Sequence, residues 1–191
     1  MTLSLKKMAS KAGYLELIFG PMFSGKTSKL LELYKQYTFC NIPIAVINYA
    51  CDTRYHNTMM SNHDSVMIPC IQTTKLIEIM DNIKNVDVIL INEGQFFEDL
   101  VQSVEFMLKD KKVVYVCGLD GDFERKKFGG MIDLIPLCDK VTKLNSMCNL
   151  CKDGTPGIFS LRLSEEKEQL VIGSTNYMPV CRYCYTTHSK E

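Results

Sequence analysis

One eight-residue stretch, GPMFSGKT at positions 20–27, constrains the fold of this 191-residue chain more than any other feature. It satisfies the phosphate-binding pattern G-x-x-x-x-G-K-[ST] and lies between an apolar run at 14–19, which predicts a buried strand, and a segment with helical spacing at 26–38. In such a unit, backbone N–H groups bind phosphate oxygens, the lysine reaches the terminal phosphates, and the threonine hydroxyl binds Mg²⁺. A chance glycine turn before a helix is the alternative. We predict a nucleoside triphosphate site made of Gly20, Pro21, Met22, Phe23, Ser24, Gly25, Lys26 and Thr27, with Thr27 as a Mg²⁺ ligand.

Apolar strands and helical segments continue to alternate after this motif. Further strands are predicted at 44–49, 86–92, 112–119 and 138–144, and helices at 74–84 and 99–109. Segment 50–69 has no clear period and is rich in Asn, Ser, Asp and His, so we expect a long functional loop. Apolar strands separated by helices are typical of a parallel sheet covered on both faces. The predicted fold class is α/β, a P-loop NTPase-like parallel sheet flanked by helices over 13–144, followed by a small domain at 145–191.

Charge and composition exclude several classes of partner. The chain has 22 Lys and Arg against 22 Asp and Glu, so a polybasic nucleic-acid surface is not expected. No apolar stretch approaches the ~20 residues of a membrane span, and the start MTLSLKKMASKAG lacks the apolar core of a secretion signal. We therefore expect no nucleic-acid partner, no membrane association and a cytoplasmic location, and the odd number of cysteines, nine, also favours a reducing compartment.

Four of the nine cysteines form two C-x-x-C pairs, Cys148 with Cys151 and Cys181 with Cys184. Two such pairs predict a tetrahedral Cys₄ zinc site, structural because the protein supplies all four ligands. The 29 residues between the pairs exceed the usual spacing of about 15–20, so the metal would close the base of a long excursion. A redox-active pair is the alternative.

A carboxylate follows the predicted strand at 86–92. Glu93 would lie at the carboxyl edge of the sheet, where open α/β folds bind ligands, and is our candidate general base. A solvated glutamate at a helix entry is the alternative. The next residues, Gly-Gln-Phe-Phe at 94–97, place two aromatic rings beside it and predict a wall for a flat ligand.

Several motifs together resemble those of type II thymidine kinases, the cellular and poxviral kind. They are GPMFSGKT, INEGQFF, GLDGDF-x-R-K-x-F and the paired cysteines, which span nearly the whole chain. The resemblance implies transfer of the γ-phosphoryl group of ATP to the 5′-hydroxyl of thymidine, with Glu93 as base. It places Asp52 and Arg54 near Mg²⁺ and the phosphates, together with Asn92 and Gln95 on the phosphate side. His63 and Asp64 resemble a further family element, in which we expect a structural histidine.

The same resemblance implies a nucleoside site covered by a lasso-like lid. Aromatic and apolar side chains would surround the thymine, because aromatic faces stack on planar bases. The residues concerned are Met22, Phe96, Leu119, Phe123 and Phe128. The backbone of the lid would form hydrogen bonds with the edge of the base, and the lid would add one aromatic ring. The residues of the lid are Gln169, Leu170, Val171, Ile172, Gly173 and Tyr177. Family members are commonly homotetramers inhibited by the end product dTTP, so the same is implied here.

Two departures from the family pattern affect these expectations. Asn92 replaces the usual aspartate, which removes one carboxylate near Mg²⁺, and Ile172-Gly173-Ser174 replaces an I-G-G run in a segment one residue short. The lid is therefore expected to close differently, and the substrate preference is expected to shift toward deoxyuridine or other pyrimidine nucleosides. Two other functions are weighed: a P-loop ATPase or GTPase whose zinc module binds a partner, and a zinc scaffold with a decayed nucleotide site. Balanced charge and the lack of an N-K-x-D motif disfavour the former, and the intact loop disfavours the latter.

Overall fold

The computed structural model describes residues 12–50, 59–61, 67–166, 168–169 and 176–189. Up to residue 143 the described strands are β1 (Tyr14–Phe19), β2 (Ile44–Tyr49), β3 (Met59–Ser61), β4 (Met67–Pro69), β5 (Ile71–Thr73), β6 (Val88–Ile91), β7 (Val113–Gly118) and β8 (Lys140–Lys143). Six of them form one parallel sheet in the order β5-β2-β6-β7-β1-β8. The predicted fold class is confirmed.

Two helices cover the faces of this sheet, α1 (Lys26–Phe39) and α2 (Leu100–Lys109). Alternate residues of β1 point to opposite faces, so Ile18 packs with Leu30 of α1 whereas Leu17 packs with Val104 of α2. Strands β1, β6 and β7 are buried along their whole length, and their sequences are apolar except for the buried Glu16 of β1. Because these three strands are neighbours, the residues that follow their carboxyl ends meet at one edge of the sheet.

Two sequence predictions in this region are wrong. The helix expected at 74–84 is a single 3₁₀ turn, Leu76–Ile79, followed by further turns. The carboxylate of Asp99 accepts hydrogen bonds from the backbone N–H groups of Leu76 (3.2 Å) and Ile77 (2.8 Å), so this short segment is held from outside. The loop expected at 50–69 contains the antiparallel pair β3–β4, and β5 then adds an unpredicted edge strand.

A small module follows the sheet. It contains β9 (Ser146–Met147), β10 (Pro156–Gly157), β11 (Phe159–Arg162), β12 (Tyr177–Val180) and α3 (Arg182–His188). Strands β9 and β10 pair antiparallel, as do β11 and β12. The backbone N–H of Met22 donates to Ser160 Oγ (2.9 Å), and Tyr185 Oη donates to the Phe123 carbonyl (2.5 Å). The module is therefore bonded directly to the phosphate loop and to the loop after β7.

Among the described residues, no helix is both long enough and apolar enough to cross a bilayer.

Candidate active site

The phosphate loop connects β1 to α1, as its sequence predicts. Gly25 has a positive φ of 84°, and at Gly20 a Cβ atom would collide with the carbonyl of Leu144. These are conformations and close approaches that glycine tolerates best. Within the described part of the chain, the hydroxyl of Ser24 is buried and has no hydrogen-bond partner. The loop thus holds a free polar atom of the kind that binds phosphate or a phosphate-bound metal.

Lys26 is the buried cation of this loop. Its ammonium group donates to the carbonyls of Gly20 (3.1 Å) and Pro21 (2.7 Å), so it is folded back over the loop. Burial lowers the pKa of Lys26, because a low-dielectric site disfavours the charged form, and the nearby carboxylate of Glu93 acts in the opposite direction. The negative charge of a triphosphate would satisfy this buried ammonium group better than two neutral carbonyls do.

Glu93 follows β6 at the same edge of the sheet. Its backbone is left-handed, with φ 55° and ψ 43°, which costs a non-glycine residue of order 1–3 kcal/mol. Gln95 donates to Glu93 Oε2 (2.7 Å), and its own Oε1 accepts from the backbone N–H of Leu119 (3.0 Å). Gln95 is buried, so it links the ends of β6 and β7 and fixes the carboxylate between them.

Asn92, the residue that departs from the family pattern, is buried beside β2. Its amide Nδ2 donates to Asn48 Oδ1 at 2.9 Å. The side chain therefore joins the ends of β2 and β6, and one of its two amide hydrogens is donated to a protein acceptor.

Aromatic rings form one side of the site. The half-buried Phe96 meets Phe128 edge-to-face at 5.5 Å and Tyr49 at 5.3 Å between ring centroids. Phe97 does not join this wall, because it is 1% exposed and packs in the core against Tyr49. The expected pair of successive aromatics is thus wrong at its second member, and Tyr49 takes the place of Phe97.

Phe123 and Tyr177 are brought together by Arg162 of β11. The guanidinium carbon lies 3.6 Å from the ring centroid of Phe123 and 5.1 Å from that of Tyr177. Arg162 also donates to Tyr177 Oη (2.5 Å). One face of the half-buried Phe123 ring is therefore covered by the guanidinium group.

The described end of the predicted lid is bonded to the loop after β7. Gln169 Nε2 donates to Asp122 Oδ2 (2.7 Å) and lies 3.4 Å from the carbonyl of Lys127. Asp122 is buried, and its other oxygen accepts from the backbone N–H groups of Glu124 and Lys126, each at 2.9 Å. These bonds place the start of the lid beside Phe123 and Phe128.

The two C-x-x-C pairs converge. The four sulfur atoms lie within 4.8 Å of one another, and Cys151 Sγ is 3.8 Å from that of Cys181 and 3.5 Å from that of Cys184. Zinc–thiolate bonds of ~2.3 Å would place tetrahedral sulfurs roughly 3.8 Å apart. This arrangement fits one shared metal ion better than it fits a redox pair.

The pKa shifts of these thiols are also consistent with a cation bound between them. Burial opposes ionisation of Cys148, but backbone N–H groups of Cys151, Cys181 and Leu150 outweigh it and lower the Cys148 pKa to about 6. Burial and the neighbouring thiols raise the pKa of Cys184. Four thiolates this close together would need a positive ion between them, and a structural Zn²⁺ is compatible with this need.

A sequence model of the family described as thymidine kinase matches residues 13–185. The chain belongs to the thymidine kinase family. The thymidine kinase of Sheeppox virus (strain KS-1) is 43% identical over 175 residues, which cover 91% of this chain and 97% of the relative. The thymidine kinase of Yaba monkey tumor virus (strain VR587) is 41% identical over 179 residues, which cover 93% of this chain and 97% of the relative. The thymidine kinase of Vaccinia virus (strain Western Reserve) is 41% identical over 175 residues, which cover 91% of this chain and 97% of the relative.

Family membership confirms the resemblance carried by the motifs and, with it, the expected enzyme class, thymidine kinase. Some of the residues assigned from that resemblance lie outside the described residues. They are Asp52, Arg54, His63, Asp64, Leu170, Val171, Ile172, Gly173 and Ser174. The remaining candidates occur in two groups, one at the phosphate loop and the ends of β6 and β7, the other between the loop after β7 and the zinc-binding module.

Sequence reasoning missed three residues that contact the candidate site residues: Tyr49, Asp122 and Arg162. Tyr49 is the last residue of a predicted strand, and that position at the carboxyl edge of the sheet was a usable signal. Asp122 lies within the GLDGDF motif but was passed over in favour of Phe123. Arg162 left no signal, because most of its hydrogen-bond partners are backbone carbonyls, which every sequence contains.

Proposed function

We propose that the chain transfers the γ-phosphoryl group of ATP to the 5′-hydroxyl of thymidine, with deoxyuridine as a second acceptor, and thereby forms thymidine monophosphate for nucleotide salvage. One observation carries this proposal. The carboxylate of Glu93 is fixed by Gln95 at the end of β6, near enough to the phosphate-loop ammonium of Lys26 to oppose the fall in its pKa. A base and a phosphate-binding cation thus share one edge of the sheet, as transfer between two substrates requires.

The phosphate loop supplies the donor side of the reaction. Its backbone N–H groups and the start of α1 would hold the β- and γ-phosphates, and Lys26 would exchange two carbonyl partners for phosphate oxygens. Hard oxygen ligands suit Mg²⁺, and the loop offers Thr27 and the buried hydroxyl of Ser24. We place Asp52 and Arg54 there as well. Mg²⁺ bound with ATP would neutralise charge on the β- and γ-phosphates.

Glu93 supplies the base. Its carboxylate would accept the proton of the 5′-hydroxyl as that oxygen forms a bond to the γ-phosphorus, while the bond between this phosphorus and the β–γ bridging oxygen breaks. The products are then thymidine monophosphate, ADP and a protonated Glu93. Gln95 acts in this scheme by holding the carboxylate, and Asn92 joins the neighbouring strand end without adding charge.

The nucleoside would lie between the aromatic wall and the zinc-binding module. Phe96, Leu119, Phe123 and Phe128 would contact the thymine, with Met22 beside the phosphate loop. The lid would close over them with Tyr177 and the backbone of Gln169, Leu170, Val171, Ile172 and Gly173. The bond from Gln169 to Asp122 supports this placement, since it joins the lid to the loop that carries Phe123.

Further parts of the proposal concern organisation rather than chemistry. We assign residues 13–144 to an ATP-binding domain and 145–191 to a zinc-stapled lasso domain, with Zn²⁺ structural and held by the four cysteines. We also propose a cytoplasmic homotetramer inhibited by dTTP. The eight cysteines among the described residues are all free thiols, in keeping with a reducing compartment.

Transfer of labelled γ-phosphate from ATP tests the function directly. Purified enzyme with zinc and Mg²⁺ is incubated with γ-labelled ATP and, in separate reactions, thymidine, deoxyuridine, deoxycytidine or a purine deoxynucleoside. Label is expected in thymidine monophosphate, less in deoxyuridine monophosphate, and none in the others. Release of inorganic phosphate at the same rate with every nucleoside would reject the proposal and identify an ATPase instead.

A further inference from the structure

The side chain of Arg162 donates hydrogen bonds both to the turn after β11 and to β12. Its Nη1 donates to the carbonyls of Glu166 (3.0 Å) and Glu168 (2.5 Å). Its Nη2 donates to the carbonyl of Gln169 (3.1 Å) and to Tyr177 Oη (2.5 Å). One planar group therefore ties the turn after β11 to the first residue of β12.

The same guanidinium plane lies against the ring of Phe123, with 3.6 Å between its carbon and the ring centroid. Phe123 belongs to the loop after β7 and not to the zinc-binding module, so Arg162 also connects the lid to the main domain. A second contact connects the same two regions, because Gln169 donates a hydrogen bond to Asp122, the neighbour of Phe123. These contacts join the two described lid residues, Gln169 and Tyr177, to that loop.

Geometry, and not charge alone, accounts for this choice of partners. The turn that Arg162 holds contains Glu165, Glu166 and Glu168, yet the guanidinium donates to main-chain carbonyls of this turn. The carboxylate of Glu166 instead accepts from the hydroxyl of Ser164 (2.9 Å). Bonds to carbonyls specify the path of the backbone, and only the rigid fork of arginine reaches several of them while stacking on a ring.

We propose that Arg162 is a positioning residue of the nucleoside site: it holds the backbone of Glu166, Glu168 and Gln169, together with the rings of Phe123 and Tyr177, in the arrangement that binds the pyrimidine base. This inference rests on the proposed function, in particular on the lid. Arg162 itself does not touch the reacting atoms. It acts through the orientation of Phe123 and Tyr177 and through the start of the segment that reads the base edge.

Three variants test the proposal. R162Q removes the charge and the fork, R162K keeps the charge but cannot reach three carbonyls at once, and R182Q is the matched control. Arg182 also stacks on a ring of the module, Phe159, at 5.0 Å, but its side chain has no hydrogen bond to segment 164–169 among the described residues. Thymidine KM, ATP KM, kcat and zinc content are measured for each variant.

R162Q is expected to raise thymidine KM about tenfold or more, since several charge-assisted hydrogen bonds are lost, and to leave ATP KM within about twofold. R162K should lie between R162Q and the wild type, and R182Q should match the wild type. Unchanged thymidine KM in R162Q would overturn the inference. So would an equal rise in both KM values accompanied by loss of zinc, because that pattern describes a residue needed for folding of the module.

Amide hydrogen exchange gives a readout that does not depend on turnover. In the free R162Q enzyme, a peptide covering 163–176 should exchange faster than in the wild type, whereas one covering 145–157 at the zinc-binding pair should not change. Equal exchange at 163–176 in both proteins would refute the anchoring role of Arg162. Wild-type enzyme that phosphorylates no nucleoside would instead refute the proposed function, and the exchange result would still decide the anchoring role.

Discussion

The two sides of the proposed site are built in different ways. On the phosphate side, Lys26 is buried at the start of α1, and Asn92 and Gln95 are buried just after β6, above a core that extends to both faces of the sheet. On the nucleoside side, the described lid residues lie on a module whose own core consists of Cys148, Leu161, Val180, Cys181, Cys184 and Tyr185. The first side is supported by a large sheet, and the second by a small cluster that includes the zinc-binding cysteines.

This difference separates chemistry from recognition. Phosphoryl transfer needs a base and a cation held in fixed positions, and buried strand ends supply that rigidity. A nucleoside must enter and leave the site, so its proposed cover has to be able to move. The described part of this cover is attached by the guanidinium of Arg162 and by the hydrogen bond from Gln169 to Asp122. The bond between Met22 and Ser160 joins the two sides.

The largest effect is expected when the zinc-binding module is broken. Cys184→Ser removes one of four ligands and should abolish zinc binding and thymidine-dependent turnover, because the module has little core without its metal. Stabilisation of the sheet domain by ATP and Mg²⁺ should persist, as measured by thermal unfolding with and without nucleotide.

Cys40→Ser is the matched control for this change, since Cys40 is exposed at the end of α1. It should retain zinc and activity. Loss of nucleotide stabilisation in Cys184→Ser would contradict the separation of the two sides.

Removal of the base should have the next largest effect. Glu93→Gln is expected to lower kcat by roughly 10²–10⁴-fold, the usual contribution of general acid–base catalysis, with small changes in either KM. Steady-state kinetics measure this. Glu98→Gln, an exposed glutamate of the same loop, serves as the control, and a kcat for Glu93→Gln within a factor of a few of wild type would remove Glu93 from the mechanism.

Loosening the carboxylate without removing it should have a smaller effect. Gln95→Leu deletes the hydrogen bonds to Glu93 and to the Leu119 backbone, so kcat should fall about 10–100-fold at unchanged ATP KM. Gln36→Leu breaks a matched amide–carboxylate pair, Gln36 with Glu32 (3.0 Å), on the exposed surface of α1 and should change nothing. Similar kinetics for the two variants would show that the Glu93 carboxylate needs no fixed position.

The buried lysine predicts a pH effect. Burial lowers the pKa of Lys26 and Glu93 opposes this, so Glu93→Gln should lower the pKa further. ATP binding requires the charged ammonium, and its affinity should therefore begin to fall at a lower pH in Glu93→Gln than in wild type. Calorimetric titrations from neutral to alkaline pH test this, and identical alkaline limbs would disprove the electrostatic link between the two residues.

The smallest effect concerns the amide at the end of β6. Asn92→Asp should lower the Mg²⁺ concentration needed for half-maximal rate by a few-fold, since it restores a carboxylate near the metal. The gain is limited because the amide of Asn92 donates to Asn48, whose oxygen would then face a carboxylate. The same change at exposed Asn82 is the control, and an unaltered Mg²⁺ requirement in Asn92→Asp would sink the idea.

The sequence predicted where the phosphate loop, Glu93 and the four cysteines lie in the fold, but it did not predict several contacts around Phe123. Motif spacing located the phosphate loop, Glu93 and the four cysteines, because each depends on local chain geometry. The turn at Leu76–Ile79 was not predicted because the carboxylate of Asp99, which is distant in the sequence, holds it. Phe97 was misplaced because the sequence alone does not show which of two adjacent aromatic residues packs in the core. Arg162 was missed because its role depends on main-chain carbonyls that meet only after folding.

The central claim is that turnover at this sheet edge depends on a nucleoside hydroxyl delivered to Glu93. Release of ADP from ATP and Mg²⁺ is therefore measured with thymidine and with 5′-deoxythymidine, which has the same base but no 5′-hydroxyl to accept phosphate. We predict that thymidine drives ADP release and that 5′-deoxythymidine does not, while it inhibits competitively against thymidine. Equal ADP release with both nucleosides would contradict the claim, because the phosphoryl group would then be passing to water.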